Sequence, residues 1–189
     1  DTASTDINDV FSYEVSTEGT RQWTSFSIDR GTVSDDIQAN PNGANRMRGL
    51  GSANVAVNGF TSSLPFDTYN VDAIEISRGP NSSVFGLGNT GGGVNLIPSQ
   101  ANVNRAITTF AYRGDSYGGY RGNFDINRPL LNGKFAIRVL GLYNNQGYVL
   151  KPSSDTTRRL MVALTRRPIK NYPYPASFDS YREYFNRER

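Results

Sequence analysis

Two alternating stretches on either side of Asn132-Gly133 constrain this chain more than any other feature. Tyr120, Gly122, Phe124 and Ile126 alternate with Arg121, Asn123 and Asp125. After the Asn-Gly step, Phe135, Ile137, Val139, Gly141 and Tyr143 share one face and Ala136, Arg138 and Leu140 the other. A side-chain period of two belongs to strands with one apolar and one polar face. Asn-Gly between two such runs predicts a type I′ hairpin. Ile107–Arg113 alternates as well, and Asp115–Gly119 predicts the turn that joins it to Tyr120. Arg159–Thr165 is a fourth, poorly alternating run. Ala176–Phe185, within the aromatic tail 168–189, is a further candidate strand.

The first half of the chain has another texture. Ile74 and Ile76 alternate with Glu75 and Ser77, and Arg78-Gly79-Pro80 ends that strand, since Pro lacks a ladder donor. Asn81 is a candidate cap for a short helix through Phe85. The glycines at 86, 88, 91, 92 and 93 stop any helix, and Val94–Ile97 resumes an apolar strand. Upstream, Ser4, Thr5 or Asp6 is placed to cap a short helix with Ile7, Val10 and Phe11 on one face. Tyr13–Thr17 reads as a first strand. Trp23, Phe26 and Ile28 suggest another, and Asp35–Asn45 reads as loop. Ala53–Phe60 is a short strand ended by Asn58-Gly59, and Asp67–Asn70 suits one helical turn. The fold class expected is α+β: a small mixed α/β domain over residues 1–100, then antiparallel hairpins over 101–189.

Composition removes whole classes of function. The 189 residues hold no Cys and no His, which excludes disulfides and thiolate sites and leaves a hydrolytic triad or zinc centre without its usual parts. No catalytic residue, metal or cofactor is expected. Ser82 and Ser83 have no His to activate them. Gly86–Gly91 fits G-x-G-x-x-G, but a strand rather than a helix follows it, so its amides have no reason to aim at pyrophosphate. A net charge of +3, from 20 basic and 17 acidic residues interspersed, is too weak to argue for nucleic acid. Arg166-Arg167 and Arg182 read as a solvated face. No run approaches the roughly 18 apolar residues of a membrane helix. The opening Asp1-Thr-Ala-Ser lacks a charged-then-apolar leader, so a mature chain or an internal piece is expected.

Strands of about 8–11 residues, as after Ser99, suit a tilted membrane-spanning strand. The aromatics Phe110, Tyr112, Tyr120, Phe124, Tyr143 and Tyr148 fit either a lipid-facing band or a sandwich core.

The order Arg48-Gly49-Leu50-Gly51, Val55–Gly59, Ile74-Glu-Ile-Ser-Arg-Gly-Pro80, Phe85-Gly86 and Gly91-Gly-Gly-Val-Asn-Leu-Ile97 resembles the plug domain of TonB-dependent outer-membrane receptors. The resemblance covers roughly residues 5–98, and the hairpins after it are similar to the first strands of such a receptor's barrel. It implies a transport receptor in the outer membrane of a Gram-negative-type bacterium, taking up a scarce nutrient such as a siderophore, cobalamin or glycan. The partners implied are a TonB-type inner-membrane motor, outer-membrane lipid, the remainder of the barrel and the small ligand.

The resemblance also implies residue roles. Arg48 and Arg78, with Glu75, become candidates for a latch between plug and barrel wall. Gly49, Gly79, Pro80, Gly86, Gly91 and Gly92 become signature turns. Thr61, Ser62, Ser63, Leu64 and Phe66 become a candidate ligand-facing loop. No motor-binding box is evident within the sequence, and no clear early Pro-Gly-Val turn is found, Tyr13-Glu-Val-Ser standing near its place. About four strands cannot close a barrel that needs about 22, so a fragment is expected. The alternative from another class is a soluble β-rich binding module.

Overall fold

The computed structural model describes residues 5, 7–19, 45–49, 53–62, 64, 67–79, 91–147, 154–169 and 172–186. The candidate helix Asn81–Phe85, the glycines at 86 and 88, Pro80, the Trp23–Ile28 strand, Ser63 and Phe66 lie outside them. The chain is mostly β-strand and divides into two units, Asp1–Pro98 and Ser99–Arg189.

In the first unit a short helix α1 (Ile7–Phe11) buries Ile7 and Phe11 completely, as its one-faced pattern predicts. The Asp9 carboxylate accepts from the Thr5 amide and hydroxyl at 3.4 Å, so an acid inside the helix reaches back to its start. The predicted strand at Tyr13–Thr17 is not formed. Residues 12–16 turn instead, with Ser16 at φ 63°, and the strand β1 (Thr17–Gly19) begins where that turn ends. The Thr17 hydroxyl donates to the carbonyls of Phe11 and Glu14, closing the turn onto the helix. β1 pairs antiparallel with β2 (Asn45–Met47), so Asn45 is strand rather than the end of a loop.

A four-stranded sheet completes this unit. β3 (Asn54–Val57) turns through Asn58 and Gly59, both at positive φ as a type I′ turn requires, into β4 (Phe60–Thr61). β5 (Val71–Arg78) follows a single 3₁₀ turn at Thr68–Asn70, capped by Asp67 accepting from the Tyr69 amide at 3.0 Å. β6 (Gly92–Pro98) lies between β3, to which it is parallel, and β5, to which it is antiparallel. Val94 and Leu96 of β6 meet Val55, Met47, Ile7 and Phe11 in one core, with Ile74 and Ile76 packed against it.

The second unit is one five-stranded antiparallel meander: β7 (Ile107–Gly114), β8 (Tyr120–Leu130), β9 (Phe135–Gly147), β10 (Ser154–Ile169) and β11 (Tyr172–Asn186), in the order β11-β10-β9-β8-β7. The weakly alternating fourth run belongs to a strand of 16 residues, and the tail strand has 15, both longer than their sequence patterns suggested. Polar and apolar residues mix along them, and Pro173 and Pro175 interrupt the pattern of β11. The β8–β9 hairpin forms where Asn-Gly predicts one. Its loop, however, is Leu131–Lys134, with Leu131, Asn132 and Gly133 all at positive φ, rather than a two-residue turn.

Gly92 holds the first unit's tightest approach. It sits at φ 136°, and a Cβ there would collide with the carbonyl of Ser77 and lie 2.9 Å from the Met47 sulfur. Gly59 also has positive φ, but nothing stands within 4 Å. Gly92→Ala is therefore expected to cost on the order of 3 kcal/mol and Gly59→Ala about 1 kcal/mol, seen as unequal drops in the urea midpoint of the first unit.

Candidate functional site

Three of the sequence-selected residues, Arg48, Arg78 and Gly79, come together at the end of β5. The amide of Gly79 donates to the carbonyl of Gly91 at 3.2 Å, closing the strand end against the start of β6. The Arg48 guanidinium lies over Gly79, 3.1 Å from where a Cβ would stand. Arg48 itself is at φ 54° and its amide bonds the Ser16 carbonyl at 2.8 Å, so the turn at residues 12–16 positions it. Gly49 follows at φ 68°.

Glu75 is not part of that cluster. Residues 75 and 78 stand on opposite faces of β5, as strand periodicity dictates. The Glu75 carboxylate accepts from the Asn95 amide group at 2.8 Å, and the Asn95 carbonyl oxygen accepts from the Gly59 amide at 2.8 Å. That chain ties β5, β6 and the β3–β4 turn. The carboxylate beside Arg78 is Glu14, with Nη2 2.7 Å from Oε2 and the side chains 41% and 43% exposed. Sequence reasoning passed over Glu14 because it sits 64 residues away in a segment read as strand. Its only local signal was an acid standing alone among turn residues.

The candidate ligand-facing loop is only partly described. Thr61 is exposed at the end of β4, Leu64 is 58% exposed, and Phe60 beside them is 79% exposed. Among the described residues no group of His, Cys, Asp and Glu is placed to hold a metal, and no helix is long and apolar enough to cross a membrane.

The five-stranded sheet separates its side chains sharply. Register places Phe110, Phe124, Gly141, Leu160 and Ser180 in one row across all five strands. The row above holds Tyr112, Gly122, Tyr143, Arg158 and Arg182; the row below, Thr108, Ile126, Val139, Val162 and Phe178. This face leaves Phe110 71%, Tyr112 78% and Phe178 68% exposed. Its charged residues, Arg158 and Arg182 toward one end and Arg128 and Arg166 toward the other, flank the apolar rows. The carboxylates of these strands, Asp125, Asp155, Asp179 and Glu183, all stand on the opposite face. There Arg138 clasps Asp125 through two bonds of 2.9 and 2.8 Å, and Arg159 stacks over Tyr181 at 4.5 Å.

No protein-family model matches the chain. It is 38% identical over 64 residues to the metal-pseudopaline receptor CntO of Pseudomonas aeruginosa, a match covering 34% of this chain and 9% of that protein. Among solved structures it is similar to the alcaligin outer-membrane receptor FauA of Bordetella pertussis, with TM-score 0.74 and 20% identity, covering 97% of this chain and 30% of that one. The FpvAI–pyocin S2 complex gives TM-score 0.74 at 18% identity, covering 95% and 22%. The ferric-catecholate import receptor Fiu of E. coli K12 gives 0.68 at 18%, covering 88% and 23%. This chain carries the fold of TonB-dependent receptors. The resemblance read from the sequence is borne out, and the chain spans under a third of these relatives' lengths.

Because the Arg78–Glu14 pair is more than a third exposed, its contribution to stability is small. Glu14→Gln is expected to lower stability by less than about 1 kcal/mol, read from the urea midpoint, whereas Gly79→Val, which forces a β-branched residue to φ 89°, should cost about 2 kcal/mol or more.

Proposed function

We propose that the chain is part of an outer-membrane receptor for a metal–chelator complex, with the first unit as its plug and the second as a section of barrel wall. The observation that carries this reading is the sheet's division into a face without carboxylates and a face that holds them all. A lipid-facing surface needs an apolar band with aromatic and long cationic residues at its margins, and a lumen tolerates carboxylates. Along β10, Arg166 follows Arg158 by eight steps, about 26 Å at ~3.3 Å per residue, which suits a tilted strand in a bilayer. The sandwich-core reading leaves Phe110, Tyr112 and Phe178 exposed, so the soluble alternative loses its support.

Among the described residues β7 and β11 each pair with a single neighbour, which fits a wall continued on both sides by further strands. The likeness to receptors named for pseudopaline, alcaligin and ferric catecholates favours chelated metal over cobalamin or glycan as cargo. A TonB-type motor would act on the plug, and the chain's own residues would gate passage rather than catalyse. Arg48 and Arg78 are the latch candidates; Glu14 holds Arg78 within the plug, and Glu75 serves the sheet instead.

Two measurements on the full receptor test this reading. Phe124→Asp should cut heat-modifiable, inserted barrel sharply, with a cost of about 2 kcal/mol or more, while Asn123→Asp, on the carboxylate face, should leave insertion near normal; equal effects would overturn the face assignment. Arg78→Glu should raise cellular permeability to large antibiotics, and unchanged permeability would remove Arg78 from the latch.

A further inference from the structure

We infer that the aromatic face carries a site for a phosphate-bearing lipid of the outer leaflet, clamped by Arg158 and Arg182. This rests on reading the sheet as barrel wall. The two arginines are direct cross-strand partners, and both are exposed. Like charges directly opposite each other destabilise a sheet. No carboxylate shares their face among the described residues, and neither makes an ion pair there. An anion between them removes the repulsion and is held by two planar forks, the geometry that suits phosphate.

The arginines are also placed. Arg158 lies 5.3 Å over the Tyr143 ring, which in turn stacks on Tyr120 at 5.6 Å. That stack fixes one guanidinium at the margin of the apolar rows. Directly beside it the face is dented. Gly122 and Gly141 lie in adjoining rows of neighbouring strands, and between Tyr112, Phe124, Tyr143 and Leu160 they leave an open groove of about 460 Å³. Phe124 lies over Gly141 so closely that a Cβ there would collide with its ring. A charged clamp at one end of an apolar groove is complementary to a phosphate headgroup joined to an acyl chain.

Connection lengths give the leaflet. At the arginine end, β7 joins β8 through residues 115–119 and β9 joins β10 through residues 148–153. At the other end, β10 joins β11 through residues 170–171, and β8 joins β9 through 131–134. Barrels have their longer loops outside and their short turns on the periplasmic side, so the clamp faces the outer leaflet.

The test uses the complete receptor carrying this segment, reconstituted in phosphatidylcholine vesicles containing lipid A, then extracted gently and weighed with its bound lipid by native mass spectrometry. Lipid A should be retained, and its dephosphorylated form should not. Arg158→Gln with Arg182→Gln should lower retention about tenfold, Lys at both positions should restore part of it, and Arg128→Gln with Arg166→Gln should change little. Equal retention of phosphorylated and dephosphorylated lipid, or no effect of the Arg158/Arg182 pair, overturns the clamp while heat-modifiable migration keeps the barrel reading intact. A receptor without heat-modifiable migration overturns both.

Discussion

The pleat of the five-stranded sheet is the constraint on which everything in the second unit depends. Side chains alternate between faces with period two, so a slip of one residue in one pairing would carry that strand's whole apolar set to the polar face. At β8 a slip would put Asp125 among Phe110, Gly141 and Leu160, and Phe124 on the face of Arg138. Segregation this complete survives only if each register is fixed by something besides the ladder.

Two devices on the carboxylate face do that for the β8–β9 pair. The bidentate Asp125–Arg138 bridge ties β8 to β9 with side chains only 18% and 12% exposed, so that a slip would strand a charge at a cost of about 3–5 kcal/mol. One residue pair further on, Asn127 is fully buried and uses its whole amide group: its oxygen accepts from the Asn102 amide at 2.9 Å, and its nitrogen donates to the carbonyls of Asn102 and Arg105. The Arg138 guanidinium reaches the Gln100 carbonyl at 3.0 Å as well. The segment leading into β7 is thus stitched to the sheet by the residues that set the β8–β9 register. An apolar side chain at 127 would leave those buried backbone groups without partners.

What the sequence disclosed follows from how local each signal is. Period-two alternation in β8 and β9, the Asn58-Gly59 turn and the Ile7–Phe11 face are set by neighbours in the chain, and they were legible. The full lengths of β10 and β11 were not, because arginines, threonines and prolines blur the alternation where strands run past the apolar band. The Tyr13–Thr17 strand failed because the Thr17 hydroxyl folds that segment back onto the helix. Arg78 was found through its motif. Its partner Glu14 and the role of Asn95 depend on pairings across 64 and 20 residues, which no local pattern announces.

The same distinction explains why Arg182 reads as ordinary solvated surface from sequence and as something else in the sheet. In the chain it stands between Tyr181 and Glu183, an isolated cation beside an acid. The pleat sends both neighbours to the opposite face and leaves Arg182 facing Arg158. Arginine tolerates that margin because its stem lies along apolar surface while its head reaches the interface, which a short Asp side chain cannot do. The proposed membrane wall would therefore take arginine at its margins and carboxylates inward. This asymmetry, rather than the number of aromatic residues, is what favours the proposed wall over half of a soluble sandwich.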